Sequence, residues 1–63
     1  MIKVLIADDH AVVRDGLTMI LESQSDIAVI GQAGDGREAI AMARSLKPNV
    51  VVMDITMPEL NGI

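Results

Sequence analysis

Residues 3–10 read KVLIADDH. The run at 3–7 is aliphatic and largely β-branched, with no alternation of polar and apolar side chains, and it stops abruptly on Asp8-Asp9. An unbroken apolar run of that length predicts a strand covered on both faces, as in a parallel sheet. Directly after it the period changes. Over residues 11–23, Val13, Leu17, Ile20 and Leu21 fall at i, i+4, i+7 and i+8, which predicts an amphipathic helix with Arg14, Asp15, Thr18 and Glu22 off the apolar stripe. Gly16 inside that helix costs about 1 kcal/mol against Ala and is expected to let the helix approach the sheet closely.

The same alternation continues outward. Residues 27–30 (IAVI) form a second apolar run, followed by Gly31-Gln32-Ala33-Gly34. Asp35 and Glu38 then have capping-box spacing, with Asp35 capping a helix and Glu38 reaching back to it. Ala39, Met42, Ala43 and Leu46 supply its stripe, Lys47 suits its C-terminus, and Pro48 stops it. A third run, residues 50–53, delivers Asp54. The order is βαβαβ with short links, the pattern of an α/β parallel sheet wrapped by helices. In the flavodoxin-like, doubly wound order the first strand lies between the second and third. The C-terminal ends of strands one and three are then neighbours, and both lead into Asp.

Composition narrows the function classes. The 63 residues allow one small domain, which buries only about 60% of its unfolded surface. There is no Cys, hence no disulfide and no thiolate metal site. The hydrophobic share of 51% is too high for a disordered chain, and the absence of Phe, Trp and Tyr leaves nothing to stack on single-stranded nucleic acid. Nine acids against five scattered bases give a net charge of −4, which does not suit binding to a phosphate backbone. No run reaches membrane-spanning length and the N-terminus has no signal-peptide pattern, so no membrane partner and a cytoplasmic location are expected.

Adjacent strands lie about 4.8 Å apart, so Asp8, Asp9 and Asp54 are expected to share one pocket at the C-terminal edge of the sheet, where open α/β sheets bind ligands. Three carboxylates that close repel one another, and either protonation of one or a bound cation must offset this. Hard oxygen donors with room for water favour Mg²⁺ or Mn²⁺. A carboxylate beside such an ion serves either as a ligand or as a nucleophile for a phosphoryl group. The alternative for any single Asp is a turn former or helix cap, and Asp9 or His10 is placed to cap the helix starting near Ala11.

At these residues the chain resembles the receiver domain of two-component response regulators, a CheY-like fold. The resemblance rests on the acidic pair in VLIADDH, on Asp54 with Met57-Pro58 and Gly62 in DITMPELNGI, and on the βαβαβ order between them. It covers residues 1–63, as about the first half of a receiver: three strands and two helices. DDHAVVRDGL and DITMPELNGI are also similar to receivers of the NarL/FixJ type, which are joined to a helix-turn-helix DNA-binding domain. The resemblance implies that Asp54 accepts a phosphoryl group from a histidine kinase, that Asp9 binds Mg²⁺ directly, and that Asp8 assists through water. It also implies that Thr56 gives a backbone carbonyl to the metal, in a loop shaped by Met57, Pro58 and Gly62. Such a protein is a signalling switch rather than a turnover enzyme. Its effector domain and DNA belong to the full-length parent, with no direct nucleic-acid contact by this segment.

The family also uses a Thr or Ser after the fourth strand and a Lys after the fifth, and residues 1–63 contain neither strand. Weak Mg²⁺ binding and poor or absent phosphorylation of the chain alone are therefore expected. Strand three would present a bare edge, for which a homodimer, a strand-swapped assembly or a longer chain is the expected remedy. Other readings are weaker. An Asp-nucleophile phosphotransferase usually has a second Asp two residues on, where Thr56 stands. A cobalamin-binding D-x-H-x-x-G loop needs Gly where Val13 stands. Gly31, Gly34 and Gly36 lack nucleotide-loop spacing. An interaction piece with an idle acidic site is the remaining alternative. His10 is read as an exposed residue at the helix start that titrates freely, and the Met residues mostly as core fillers.

Overall fold

In the computed structural model, which describes residues 1–53, the chain runs β1 (Ile2–Ala7), α1 (Ala11–Glu22), β2 (Ile27–Ala33), α2 (Gly36–Leu46) and β3 (Val50–Met53). The three strands are parallel in the order β2-β1-β3, as the doubly wound pattern requires. Right-handed crossovers in opposite directions put α1 and α2 on opposite faces of the sheet. Two neighbouring residues of β2 display this. Gln32 hydrogen-bonds Thr18 of α1, whereas a Cβ on Gly31 would lie against Met42 and Leu46 of α2. Consecutive strand residues face opposite ways, so the helices cover opposite faces.

The core is the central strand itself. Val4, Leu5, Ile6 and Ala7 are all buried, and Leu5 and Ile6 are fully enclosed. Ala7, Ala33 and Ala39 form a tight small-residue cluster beneath α2, with Met42 against it. Small side chains there bring α2 close to the sheet. Val50, Val51 and Met53 on β3 stay partly exposed.

The structure corrects three local expectations. Strand β2 does not end at Ile30. Ladder pairing shifts between Val4/Val29 and Leu5/Gly31, leaving Ile30 as the extra residue of a bulge, after which Gly31, Gln32 and Ala33 continue the pairing. Gly31 breaks the apolar run yet keeps the ladder, and its missing side chain admits Met42, Leu46 and Leu5, each of which would lie within 3.2 Å of a Cβ there.

On α1, Val13 and Ile20 are largely exposed, and the half-buried positions are Arg14, Gly16, Leu17, Thr18 and Leu21. The inward face is rotated toward Arg14 and Thr18 because both are engaged by hydrogen bonds. Gly16, in turn, does not serve a close approach: a Cβ there would meet nothing within 4 Å among the described residues. Gly16→Ala is therefore expected to stabilise the chain by about 0.5–1 kcal/mol through helix propensity and reduced unfolded-state freedom. Thermal unfolding followed by circular dichroism checks this, and a lower Tm than wild type would contradict it.

Helix α2 is capped largely as expected. The Asp35 carboxylate accepts from the Glu38 amide at 2.7 Å. The Glu38 carboxylate reaches back one residue further than the standard box, to the Gly34 amide at 2.7 Å. At the other end Lys47 takes a left-handed conformation (φ 52°) and its amide closes on the Ala43 carbonyl. Pro48 disfavours a helical residue before it, so the helix ends there.

Candidate functional site

The site grows from the end of β1. Its last residue, Ala7, pairs with Ala33 on one side and Met53 on the other, and the Asp8 amide adds one more ladder bond, to the Ala33 carbonyl at 3.0 Å. Asp8 is thus delivered by a backbone fixed from both edges, with its residue buried to 7% exposure. Asp9 follows at the surface, and His10 opens α1.

The first turn after the strand is held by the Asp8 carboxylate. Its Oδ1 accepts from the His10 amide at 2.8 Å, an Asx-type turn, and lies 3.0 Å from His10 Nδ1. The same Nδ1 is 2.8 Å from Asp9 Oδ1. One imidazole nitrogen therefore bridges the two carboxylates, and ligand atoms of Asp8, Asp9 and His10 all lie within 4.8 Å of one another. His10 holds the N-cap position without capping the helix by its side chain. His10 is an exposed residue at the helix start, as expected, and what the sequence did not show is that its Nδ1 is engaged by both carboxylates.

The sequence reading missed Arg14, which it placed off the working face of α1. Its Nη1 donates to the Asp8 main-chain carbonyl at 2.6 Å. At i+6 from Asp8 the only sequence signal was an arginine one helical turn after the acidic turn.

The donor set fits a divalent cation of the Mg²⁺ class. Two carboxylates offer hard oxygens, and the Asp9 side chain keeps 40% of its surface open, leaving access for water ligands. Of the expected site residues, Asp8 and Asp9 are brought together. Asp54, Thr56, Met57, Pro58 and Gly62 lie outside the described residues. What is described is the strand that leads to them: β3 ends on Met53, in register with Ala7 at the foot of the acidic turn.

Comparison with known proteins decides the family, since the model of the response regulator receiver domain matches residues 4–63. The chain belongs to the response regulator receiver family. Response regulator protein VraR of Staphylococcus aureus is 48% identical over 62 residues, which cover 98% of this chain and 30% of that protein. The chain thus spans about 30% of the length of the curated relatives it matches. Among solved structures, the response regulator domain of Thermotoga maritima CheB is 52% identical with a TM-score of 0.91, covering all of this chain and 47% of that one. The signal receiver domain of NarL from Mycobacterium tuberculosis is 32% identical with a TM-score of 0.87, over 90% of this chain and 46% of that one. The parallel β2-β1-β3 sheet is accordingly part of a CheY-like receiver fold of the NarL-type group. Among the described residues no helix is long and apolar enough to cross a membrane.

Proposed function

We propose that the chain is the phosphoacceptor part of a response regulator receiver, in which Asp54 takes a phosphoryl group from a histidine kinase beside a Mg²⁺ ion. The observation that carries this reading is the Asp8–Asp9–His10 cluster at the end of β1, adjacent to the strand that leads into Asp54. Asp9, the more open carboxylate, would bind the ion directly, Asp8 would assist through a water ligand, and Thr56 would add its backbone carbonyl from the following loop. Mg²⁺, or Mn²⁺ in its place, supplies charge neutralisation for a phosphoryl group when bound.

The chain's own part of the chemistry is that of a nucleophile. A carboxylate oxygen of Asp54 forms a bond to phosphorus while the bond from phosphorus to the kinase imidazole nitrogen breaks. That nitrogen keeps the electron pair and the product is an acyl phosphate. Catalytic burden is low in such a transfer, since positioning and charge do most of it. On this reading residues 1–63 supply the first three strands and two helices of a receiver. The parent couples the phosphorylated state to a DNA-binding effector domain and works in the cytoplasm. The partly exposed β3 edge meets either further receiver strands or a second copy of the chain.

Asp9→Asn tests the metal half. Removing a directly ligating charge is expected to weaken Mg²⁺ at least about tenfold. Fold and far-UV circular dichroism in EDTA should stay unchanged. A Mg²⁺ titration read by calorimetry checks it, and an unaltered dissociation constant would remove Asp9 from the site.

A further inference from the structure

Arg14 has a place in the molecule that the phosphoryl chemistry does not use. It sits one turn into α1, and its guanidinium turns back across the helix start to the main chain of Asp8, with Nη1 2.6 Å from that carbonyl oxygen. The same nitrogen lies 3.5 Å from where a Cβ on Gly34 would stand, so the fork also abuts the β2–α2 turn. Its Nε is buried with no hydrogen-bond partner among the described residues. An arginine held at the surface for solvation alone would not bury that atom, because a buried unpaired donor costs free energy.

The backbone of Arg14 is itself held in place. Gln32 Nε2 donates to Thr18 Oγ1 at 2.8 Å, and Thr18 Oγ1 donates to the Arg14 carbonyl at 2.8 Å. A continuous path of hydrogen bonds thus runs from β2 through α1 to Arg14 and on to the Asp8 carbonyl. That carbonyl belongs to the peptide linking Asp8 to Asp9. Holding this peptide plane constrains the backbone from whose two ends the Asp8 and Asp9 side chains project.

Building on the metal reading above, we infer that Arg14 is a positioning residue for the cation site: it clamps the Asp8–Asp9 peptide so that both carboxylates converge. Its positive charge alone would do the reverse, since a cation beside the acidic pair competes with a metal ion. The two effects have opposite signs, which makes the assignment testable. If positioning dominates, loss of Arg14 weakens Mg²⁺. If Arg14 is only a nearby charge, its loss tightens Mg²⁺.

The test is a MgCl₂ titration of ¹⁵N-labelled protein, following the His10 amide, with wild type, Arg14→Ala and Arg14→Lys measured alongside their melting temperatures in EDTA. Outer-shell groups that orient metal ligands typically matter by 10–100-fold, so Arg14→Ala is expected to weaken Mg²⁺ about tenfold. Arg14→Lys, which keeps the charge but not the planar fork, is expected to fall between it and wild type. Both should show the loss even when extrapolated to the fully folded fraction. Equal or tighter Mg²⁺ binding in a folded variant would overturn the inference. Should Arg14→Ala not fold, Arg14→Lys decides alone, with wild-type affinity as the overturning result. Absence of any Mg²⁺ response in wild type would instead bring down the metal reading, and this inference with it.

Discussion

Ile6→Ala is expected to abolish cooperative unfolding of the chain. Ile6 lies on the central strand, with β2 on one side and β3 on the other, and none of its surface is exposed. Truncating a fully buried Ile removes about 2–5 kcal/mol, from lost transfer free energy and from the cavity left behind. A domain of this size rarely holds more than about 3–5 kcal/mol in all. The loss therefore equals most of what is available. With no aromatic side chain in the sequence, far-UV circular dichroism in urea is the appropriate measurement. Val12→Ala is the control: Val12 is 84% exposed on α1, and its truncation should stay within about 0.5 kcal/mol of wild type. A cooperative transition in Ile6→Ala with a midpoint near that of wild type would mean that the central strand is not the core.

Asp54→Asn is expected to remove all phosphoryl labelling. The amide is close to the carboxylate in size but has no nucleophilic oxygen of comparable strength, so the fold should persist while acyl phosphate formation stops. Incubation with acetyl phosphate and Mg²⁺, followed by intact-mass measurement, reads this directly. In the unsubstituted chain any phosphate adduct should require Mg²⁺, disappear with EDTA, and map to Asp54. An adduct that survives in Asp54→Asn would place the acceptor elsewhere.

Much of this was legible in the residues because each element carries its own period. The unbroken run at 3–7 called for cover on both faces, and the structure buries Val4 to Ala7 while Lys3 stays exposed. The α2 boundaries follow from Asp35 at one end and Lys47-Pro48 at the other, both local signals. What escaped was set by contacts between distant segments. Gly31 looked like the end of a strand, because nothing local says that Met42 and Leu46 will fill its missing side chain and that a bulge will carry the ladder past it. The inner face of α1 was misplaced at Val13 and Ile20, though not at Leu17 and Leu21, for a similar reason. Apolar periodicity favoured Val13 and Ile20, whereas a polar network through Gln32, Thr18 and Arg14 draws a different stripe inward. Of the candidate site, Asp8 and Asp9 were legible as carboxylates at a strand end. The imidazole bridging them was not, since a histidine after an acidic pair is more often a solvated loop residue.

The central claim is that the ends of β1 and β3 form one cation site. Substoichiometric Mn²⁺ added to ¹⁵N-labelled protein tests it most directly, since the paramagnetic ion broadens amides near it. The expected result is early and joint loss of the Asp8, Asp9, His10 and Asp54 amide signals, reversed by excess Mg²⁺. Broadening centred on other acidic residues, such as Asp35 and Glu38, or loss at Asp8 and Asp9 with Asp54 unaffected, would contradict it.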